Sequence, residues 1–533
     1  MTVAVRVGGR GTTLPDSARR LLRTVTVIVG IVVVWELLAT TVFAGRFVVP
    51  APTSVLTTAA RDHFYYSDVV VTLGISWKGW LIGNGVALVL AAICLILPVA
   101  EGGLMTLGVA TYCVPTIAVG PLLVVLYGST GAKMLMSALS VFFVTLVAAV
   151  AGLRAASPTT LEAVTAFGGN RWQQLVKVRL RASIPILASG LSISAPAAIL
   201  GTMIGDYLGG AKGLGVVMLQ AQQQLAVSRT WAIALVSTGV CGLAFGVTAA
   251  VARRLGAHVE APLDRGTTPS RDHRPRPVGL GLAVVRILAV VAFGLLVWEL
   301  LVRSSGLSSY FVKSPVDVWR YAVSGPLAGS HRHALLQGLA HTGRDAGVGW
   351  LVGTATAVVA ASALTLLPAV GAAVMPFVIV MRSVPLIAMC PLIGLVFGRG
   401  LLGVTLIAAI VTFVPSLVTI VDGLRSAPGA AMDVVECFGG GRLSALVKVR
   451  LAFSSPALFA AAKISMPGAV LGSVLAEWLI TGHGLGYAMA YDVISSDYGN
   501  LWTAIAVLLV VSLALYFLVG AIENAVRYRV WGA

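Results

Sequence analysis

The chain has 533 residues, 58% hydrophobic and 11% charged, with mean hydropathy +0.95 and net charge +17. Soluble domains carry about 25% charged residues, so the composition excludes a soluble globular protein and points to a polytopic membrane protein. The positive charge excludes a nucleic-acid partner too, because it is spread over loops between apolar runs and forms no single basic domain.

Crossing ~30 Å of hydrocarbon takes about 20 helical residues. Apolar runs of that kind fall at 21–43, 69–98, 104–127, 134–153, 184–208 and 229–252, then at 280–303, 340–368, 369–397, 400–422, 456–480 and 500–526. The expected fold class is therefore all-α, with about twelve transmembrane helices. Only Leu367-Pro368 and Gly371 separate the eighth run from the ninth. Barrel strands are excluded, since they would be segments of about 10 residues with alternating polarity.

Arg6, Arg10, Arg19 and Arg20 precede the first run and Arg23 lies at its start, and Arg253, Arg254, Arg265, Arg271, Arg274, Arg276 and Arg286 fill or flank the stretch after the sixth. The positive-inside rule places both segments in the cytoplasm. Six spans return the chain to the side it started from, so both termini are expected inside. The same count puts two further basic loops there: 154–183, with Arg154, Arg171, Lys177, Arg179 and Arg181, and 423–455, with Arg425, Arg442, Lys448 and Arg450. Contact with lipid headgroups is a second use for this charge. The start of the chain lacks a short apolar core with a small-residue cleavage site, so 21–43 reads as a retained span. Cys94, Cys113, Cys241, Cys390 and Cys437 form no C-x-x-C pair, and neither a disulfide framework nor a zinc site is expected.

The chain repeats itself. Trp35-Glu36-Leu37-Leu38 returns as Trp298-Glu299-Leu300-Leu301, and Pro52 with Val55 as Pro315 with Val318. CVPTIAVGPLLVVLYG at 113–128 matches SVPLIAMCPLIGLVFG at 383–398, and FGGNRWQQLVKVRL at 167–180 matches FGGGRLSALVKVRL at 438–451. Gly213-Leu214-Gly215 pairs with Gly484-Leu485-Gly486, and Trp231 with Trp502. Two units of six spans, 1–253 and 280–533, are thus joined by a polar linker at 254–279 rich in Arg, Pro and Asp. Both start on the same side, which makes the repeats parallel and puts a substrate path between the halves.

Each basic loop has an acid, then a small or apolar pair, a Gly six residues after the acid, and a V-x-L run. These are Glu162, Ala163, Val164, Gly168, Val178 and Leu180, and Asp433, Val434, Val435, Gly439, Val449 and Leu451. The pattern resembles the E-A-A loop of ABC-importer permeases, once per half. Pro115-x-x-Ala118-x-x-Pro121-Leu122 and Pro385-x-x-Ala388-x-x-Pro391-Leu392, with an acid preceding G-L-G, resemble the sulfonate, taurine, nitrate and thiamine-precursor branch. Departures are Arg181 and Ala452 in place of the family's proline, Asp433 in place of Glu, and the missing Ala pair in the second loop. The resemblance implies a type I importer permease whose loops, through Glu162, Ala163, Phe167 and Gly168, and Asp433, Phe438 and Gly439, dock on two ATP-binding subunits. It also implies an extracytoplasmic solute-binding protein and a place in the cytoplasmic membrane; the abundance of Arg, Ala, Val and Gly hints at a GC-rich bacterium. The bland reading of such loops is that small residues permit close helix packing.

No Gly-Lys dipeptide occurs, so a phosphate-binding G-x-x-x-x-G-K-[S/T] loop is absent; neither a paired-His metal site nor a G-x-S-x-G turn is present. The chain is expected to be no enzyme and to hold no cofactor, ATP and Mg²⁺ belonging to its partner. Ionisable residues within spans are costly and default to functional candidates. Asp206 and Glu477 occupy equivalent positions late in the fifth span of each half. Arg382, aligned with Tyr112, and Lys463, aligned with Ser192, have no counterpart, and an anion-attracting role for Arg382 would suit a small polar, anionic substrate. Structural pairing is the alternative role for these residues. Pro115, Pro121, Pro196, Pro385, Pro391 and Pro467 break spans where a cavity or protein packing can satisfy the freed carbonyls. Trp35, Trp298, Trp77 and Trp80 read as interfacial anchors. A twelve-helix secondary transporter is the rival class and lacks a reason for the paired loops; a membrane scaffold has less.

Overall fold

Apolar runs fold as helices in a bilayer because the hydrocarbon offers backbone N–H and C=O groups no partner outside the helix itself. The computed structural model describes residues 16–42, 44, 49–61, 65–97, 100–256, 280–304, 306–381 and 384–531. The first half comprises α1 (Asp16–Thr41), α2 (Pro52–Arg61), α3 (Tyr65–Ile96), α4 (Glu101–Cys113), α5 (Thr116–Arg154), α6 (Pro158–Ala166), α7 (Arg171–Gln174), α8 (Leu180–Gly209), α9 (Leu214–Gln223) and α10 (Val227–Gly256). The second comprises α11 (Leu280–Ser304), α12 (Pro315–Trp319), α13 (Ala328–Leu366), α14 (Pro368–Met381), α15 (Leu386–Phe397) and α16 (Leu401–Arg425). It continues with α17 (Gly429–Cys437), α18 (Arg442–Ala445), α19 (Leu451–Phe453), α20 (Ser455–Leu479), α21 (Leu485–Ser495) and α22 (Tyr498–Trp531). π-helical segments at Leu175–Arg179 and Leu446–Arg450 carry the same five residues, LVKVR, in both halves.

Among the described residues, eight helices are long and apolar enough to cross a membrane. The expected twelve differ for a physical reason. The third span of each half is no continuous rod: 104–127 is α4 plus the start of α5, broken at Pro115, and 369–397 is α14 plus α15, broken at Pro385. Proline lacks the N–H that would continue the ladder and clashes with the preceding turn. Gly128, at φ +69°, then kinks α5 where Gly398, at φ +84°, separates α15 from α16. The remaining two spans are α1 and α11, of 26 and 25 residues. From residue 257 the linker lies outside the described residues; Arg254–Gly256 finish α10.

Small residues set the packing. A Cβ on Gly83 would stand 2.5 Å from the carbonyl oxygen of Ala138, and one on Gly353 would stand 2.6 Å from that of Ala409, so α3 meets α5, and α13 meets α16, backbone to backbone. Between halves the broken spans interleave: α4 packs on α11, α20 and α22, and α14 on α1 and α10. Ile117, Ala118 and Leu122 of the first half share a core with Ile387, Val470 and Val474 of the second. Trp35 pairs with Trp231 at 5.3 Å between ring centroids, and Trp298 with Trp502 at 5.8 Å, so these tryptophans tie the first helix of each half to its last. Trp77 stacks on Trp80, whose indole N–H donates to Ser194 Oγ at 2.9 Å.

Candidate functional site

The two basic loops share one construction. α6 stops at Phe167 because Gly168 takes φ +76°; its N–H donates to the Thr165 carbonyl at 2.9 Å and that of Gly169 to the Val164 carbonyl at 2.8 Å. α17 stops at Phe438 in the same way. Gly439 has φ +74°; its N–H donates to the Glu436 carbonyl at 2.9 Å and that of Gly440 to the Val435 carbonyl at 2.8 Å. This is a Schellman cap, which needs a left-handed residue. Nothing lies within 4 Å of a Cβ built on Gly168 or Gly439, so backbone conformation and not lack of room selects glycine there.

The cap turns an aromatic ring outward: Phe167 is 93% exposed and Phe438 89%. Glu162, Ala163 and Asp433 are exposed as well. Behind the cap, Arg179 Nη1 donates to the Leu153 carbonyl at 3.2 Å and Arg450 Nη1 to the Leu424 carbonyl at 3.4 Å. Each π segment is thereby tied to the C-terminal turn of the span before the loop, where a cation also suits the helix dipole. The loops differ inside. Asn170 and Gln173 form a capping box, and Gln174 reaches the Leu161 carbonyl and Thr165, whereas Gly441 and Ala445 stand in the second loop.

At the other end of the spans the equivalent acids Asp206 and Glu477 are buried, each fastening a G-L-G turn. Thr72 Oγ1 donates to Asp206 Oδ2 at 3.2 Å and accepts the Leu214 N–H at 3.0 Å, while the Gly215 N–H donates to the same Oδ2 at 3.3 Å. Thr342 Oγ1 donates to Glu477 Oε2 at 2.8 Å and accepts the Leu485 N–H at 2.9 Å, while the Gly486 N–H donates to that oxygen at 2.8 Å. Gly213, at φ +132°, and Gly484, at φ +90°, make the turns possible. In the first half only, Lys133 closes the lock, with Nζ 2.7 Å from Asp206 Oδ1.

Both acids thus point into the lock of their own half. Their chain neighbours Tyr207 and Trp478 pack instead in the core shared by the two halves. Pro115 and Pro385 are buried at the breaks beside that core. Lys463 lies on α20 with its ammonium 4.8 Å from the Tyr516 ring centroid, a cation–π contact across the α20–α22 seam. Arg382 lies outside the described residues. Sequence reasoning missed Lys133, Thr72 and Thr342, the partners of the acids, and the pair Tyr207 and Trp478; an aromatic directly after the acid in both halves was the available signal.

Two parallel helical repeats, broken spans between them and a capped basic loop in each define a membrane permease. The chain belongs to the family of binding-protein-dependent transport system inner membrane components, whose model matches twice, over residues 83–257 and 353–531. It is a multi-pass membrane transport subunit. A Haemophilus influenzae protein named "Probable ABC transporter permease protein" is 26% identical over 44% of this chain and 94% of its own length. A riboflavin transport system permease protein from Chloroflexus aurantiacus is 31% identical over 28% of this chain and 57% of its own. A formylaminopyrimidine transport permease protein from Halalkalibacterium halodurans is 24% identical over 43% of this chain and 90% of its own. A nearly whole relative thus fits within half of this chain, in keeping with two fused units. No solved structure matches.

Proposed function

We propose that units 1–253 and 280–533, tethered by 254–279, together form the translocation path of an ATP-driven importer. They take a small polar solute from an extracytoplasmic binding protein and are driven by two separate ATP-binding subunits that carry the ATP and Mg²⁺. The observation that carries this reading is the exposure of Phe167 and Phe438 at matching positions on the two basic loops. Burying such a ring is worth about 1.5–3 kcal/mol, and two rings held out by the same cap suit a pair of grooves on a two-fold partner. Arg171, Lys177, Arg442 and Lys448 flank them and would meet an acidic rim. Motion of the partner would reach the spans through Arg179 and Arg450.

The path runs between the halves, where Tyr207 and Trp478 and the breaks at Pro115 and Pro385 meet the shared core. The named cargoes of relatives, riboflavin and formylaminopyrimidine, make heterocyclic solutes the first to assay, with small anions next. The protein sits in the cytoplasmic membrane of a bacterium, with both termini inside. The test is uptake together with ATPase pull-down for Phe167→Ala, Phe438→Ala and the double variant at matched membrane expression. Loss of both is expected in the double variant, with receptor binding retained. Uptake that survives an ATPase-dead partner but collapses with the ion gradient would favour a secondary transporter.

A further inference from the structure

We infer that the second half holds a monovalent metal cation of the sodium class among Asp345, Ser473 and Glu477, in the role that the Lys133 ammonium fills in the first half. Lys133 does two things: its Nζ stands 2.7 Å from Asp206 Oδ1 and donates to the Lys212 carbonyl at 2.8 Å. The matching contacts of Gly83 with Ala138 and of Gly353 with Ala409 put the buried, apolar Val404 at its place. The second half replaces only one of the two tasks. Thr481 stands where the first half has Gly210, whose built Cβ would lie 2.7 Å from the lysine Nζ, and its hydroxyl donates to the His483 carbonyl at 2.9 Å, the counterpart of Lys212. The carbonyl is served; the positive charge is not.

What that leaves is visible in the oxygens. Among the described residues, Glu477 Oε1, Asp345 Oδ2 and Ser473 Oγ are buried without a hydrogen-bond partner, on side chains of residues 0% exposed. Ser473 is one helical turn from Glu477 on α20, and Asp345 one turn from Thr342, which touches Glu477. The first half confirms that register: Ser76 and Thr202, counterparts of Ala346 and Ser473, bond at 2.9 Å. The helices that carry the two acids, α13 and α20, pack against each other.

Asp345 has Ile75 as its counterpart, so the second half has gained an acid where it lost a base. Arg344, with its side chain 52% exposed, balances one carboxylate through Nη2 at 3.0 Å from Asp345 Oδ1. One negative charge remains, which selects a monovalent ion. All three donors are hard oxygens, which suits an alkali cation and not zinc or copper. Burying a carboxylate oxygen without a partner is among the costliest arrangements a protein interior offers. A cation there would pin the G-L-G turn and α21 to α13 and α20.

The test uses the purified full-length chain in lipid nanodiscs, with sodium chloride exchanged for choline chloride at constant ionic strength. Saturable binding of radiolabelled sodium is expected, together with a rise in unfolding midpoint of about 3 °C. Glu477→Gln, nearly isosteric, should abolish both responses, and Ser473→Ala should weaken sodium affinity about tenfold. Equal effects of sodium and choline, or full sodium binding by Glu477→Gln, would overturn the site. So would a midpoint that follows pH and ignores sodium, because the carboxyl would then carry a proton. Should Glu477→Gln not yield monodisperse protein, the wild-type measurement and Ser473→Ala decide. None of these outcomes depends on the importer reading.

Discussion

At the scale of single residues, Gly168 and Gly439 are conformational choices. Asparagine tolerates the left-handed region and β-branched residues do not. Gly168→Asn should therefore retain near-normal uptake, whereas Gly168→Val should unwind the cap and lower uptake at unchanged expression. Gly168→Arg should be worse, combining strain with bulk at the partner surface, and Gly439→Arg milder if the second loop docks less tightly. Lys133→Met leaves Asp206 charged and unpaired in the interior, a change that costs about 3–5 kcal/mol. Its thermal midpoint should fall well below that of Lys463→Met, which loses only a cation–π contact. Asp492, on the short helix α21, accepts from Asn500 Nδ2 at 3.0 and 2.9 Å, yet burial, aided by the charge of Asp497, pushes its carboxyl up to about 7. The folded state thus holds a proton that the unfolded chain releases near pH 4. Stability from this group is full below about pH 4, declines up to about pH 7 and is flat above. Asp492→Asn should remove that decline in pH-resolved melting curves. The equivalence of Asp206 and Glu477 was legible in the sequence because each precedes a G-L-G. Their partners were not: Thr72 and Lys133 lie far away in the chain, and only a fold brings them together.

At the scale of elements, each loop joins four parts, a capped helix, a glycine turn, a π segment and an arginine tied to the preceding span, and under the proposed function it acts as a lever. Arg179→Ala and Arg450→Ala should leave ATPase association intact and uncouple hydrolysis from uptake, which paired assays would show. If association is lost instead, the arginines shape the docking surface. The repeated acid and glycine made the loops readable, and the identical LVKVR announced a shared element. Its π-helical form was not readable, because the extra residue per turn leaves no compositional mark. The broken third spans were half legible. Pro115 and Pro385 were identified as breaks, but the apolar runs continue across them, and hydropathy counts residues without seeing where the ladder is cut.

At the scale of the whole molecule, duplication was the strongest signal, since many ordered matches can be read without any structure. The difference between the two locks came only from coordinates, because it rests on which buried oxygens lack partners. The orientation proposed from charge is open to direct test: a thiol introduced at Ser270 should resist a membrane-impermeant reagent in intact cells and react after permeabilisation. Labelling from outside would reverse the assignment and remove the loops from the ATPase side.

The interleaving of the broken spans, α4 against α11, α20 and α22 and α14 against α1 and α10, makes the halves mutually dependent. Helices α4 and α14 each find part of their packing on the sibling half. Two copies of the first half would bring two Lys133 locks together, and two copies of the second would bring none. Tying the halves into one polypeptide therefore does more than hold neighbours close: it guarantees at synthesis that every molecule contains one lock of each kind.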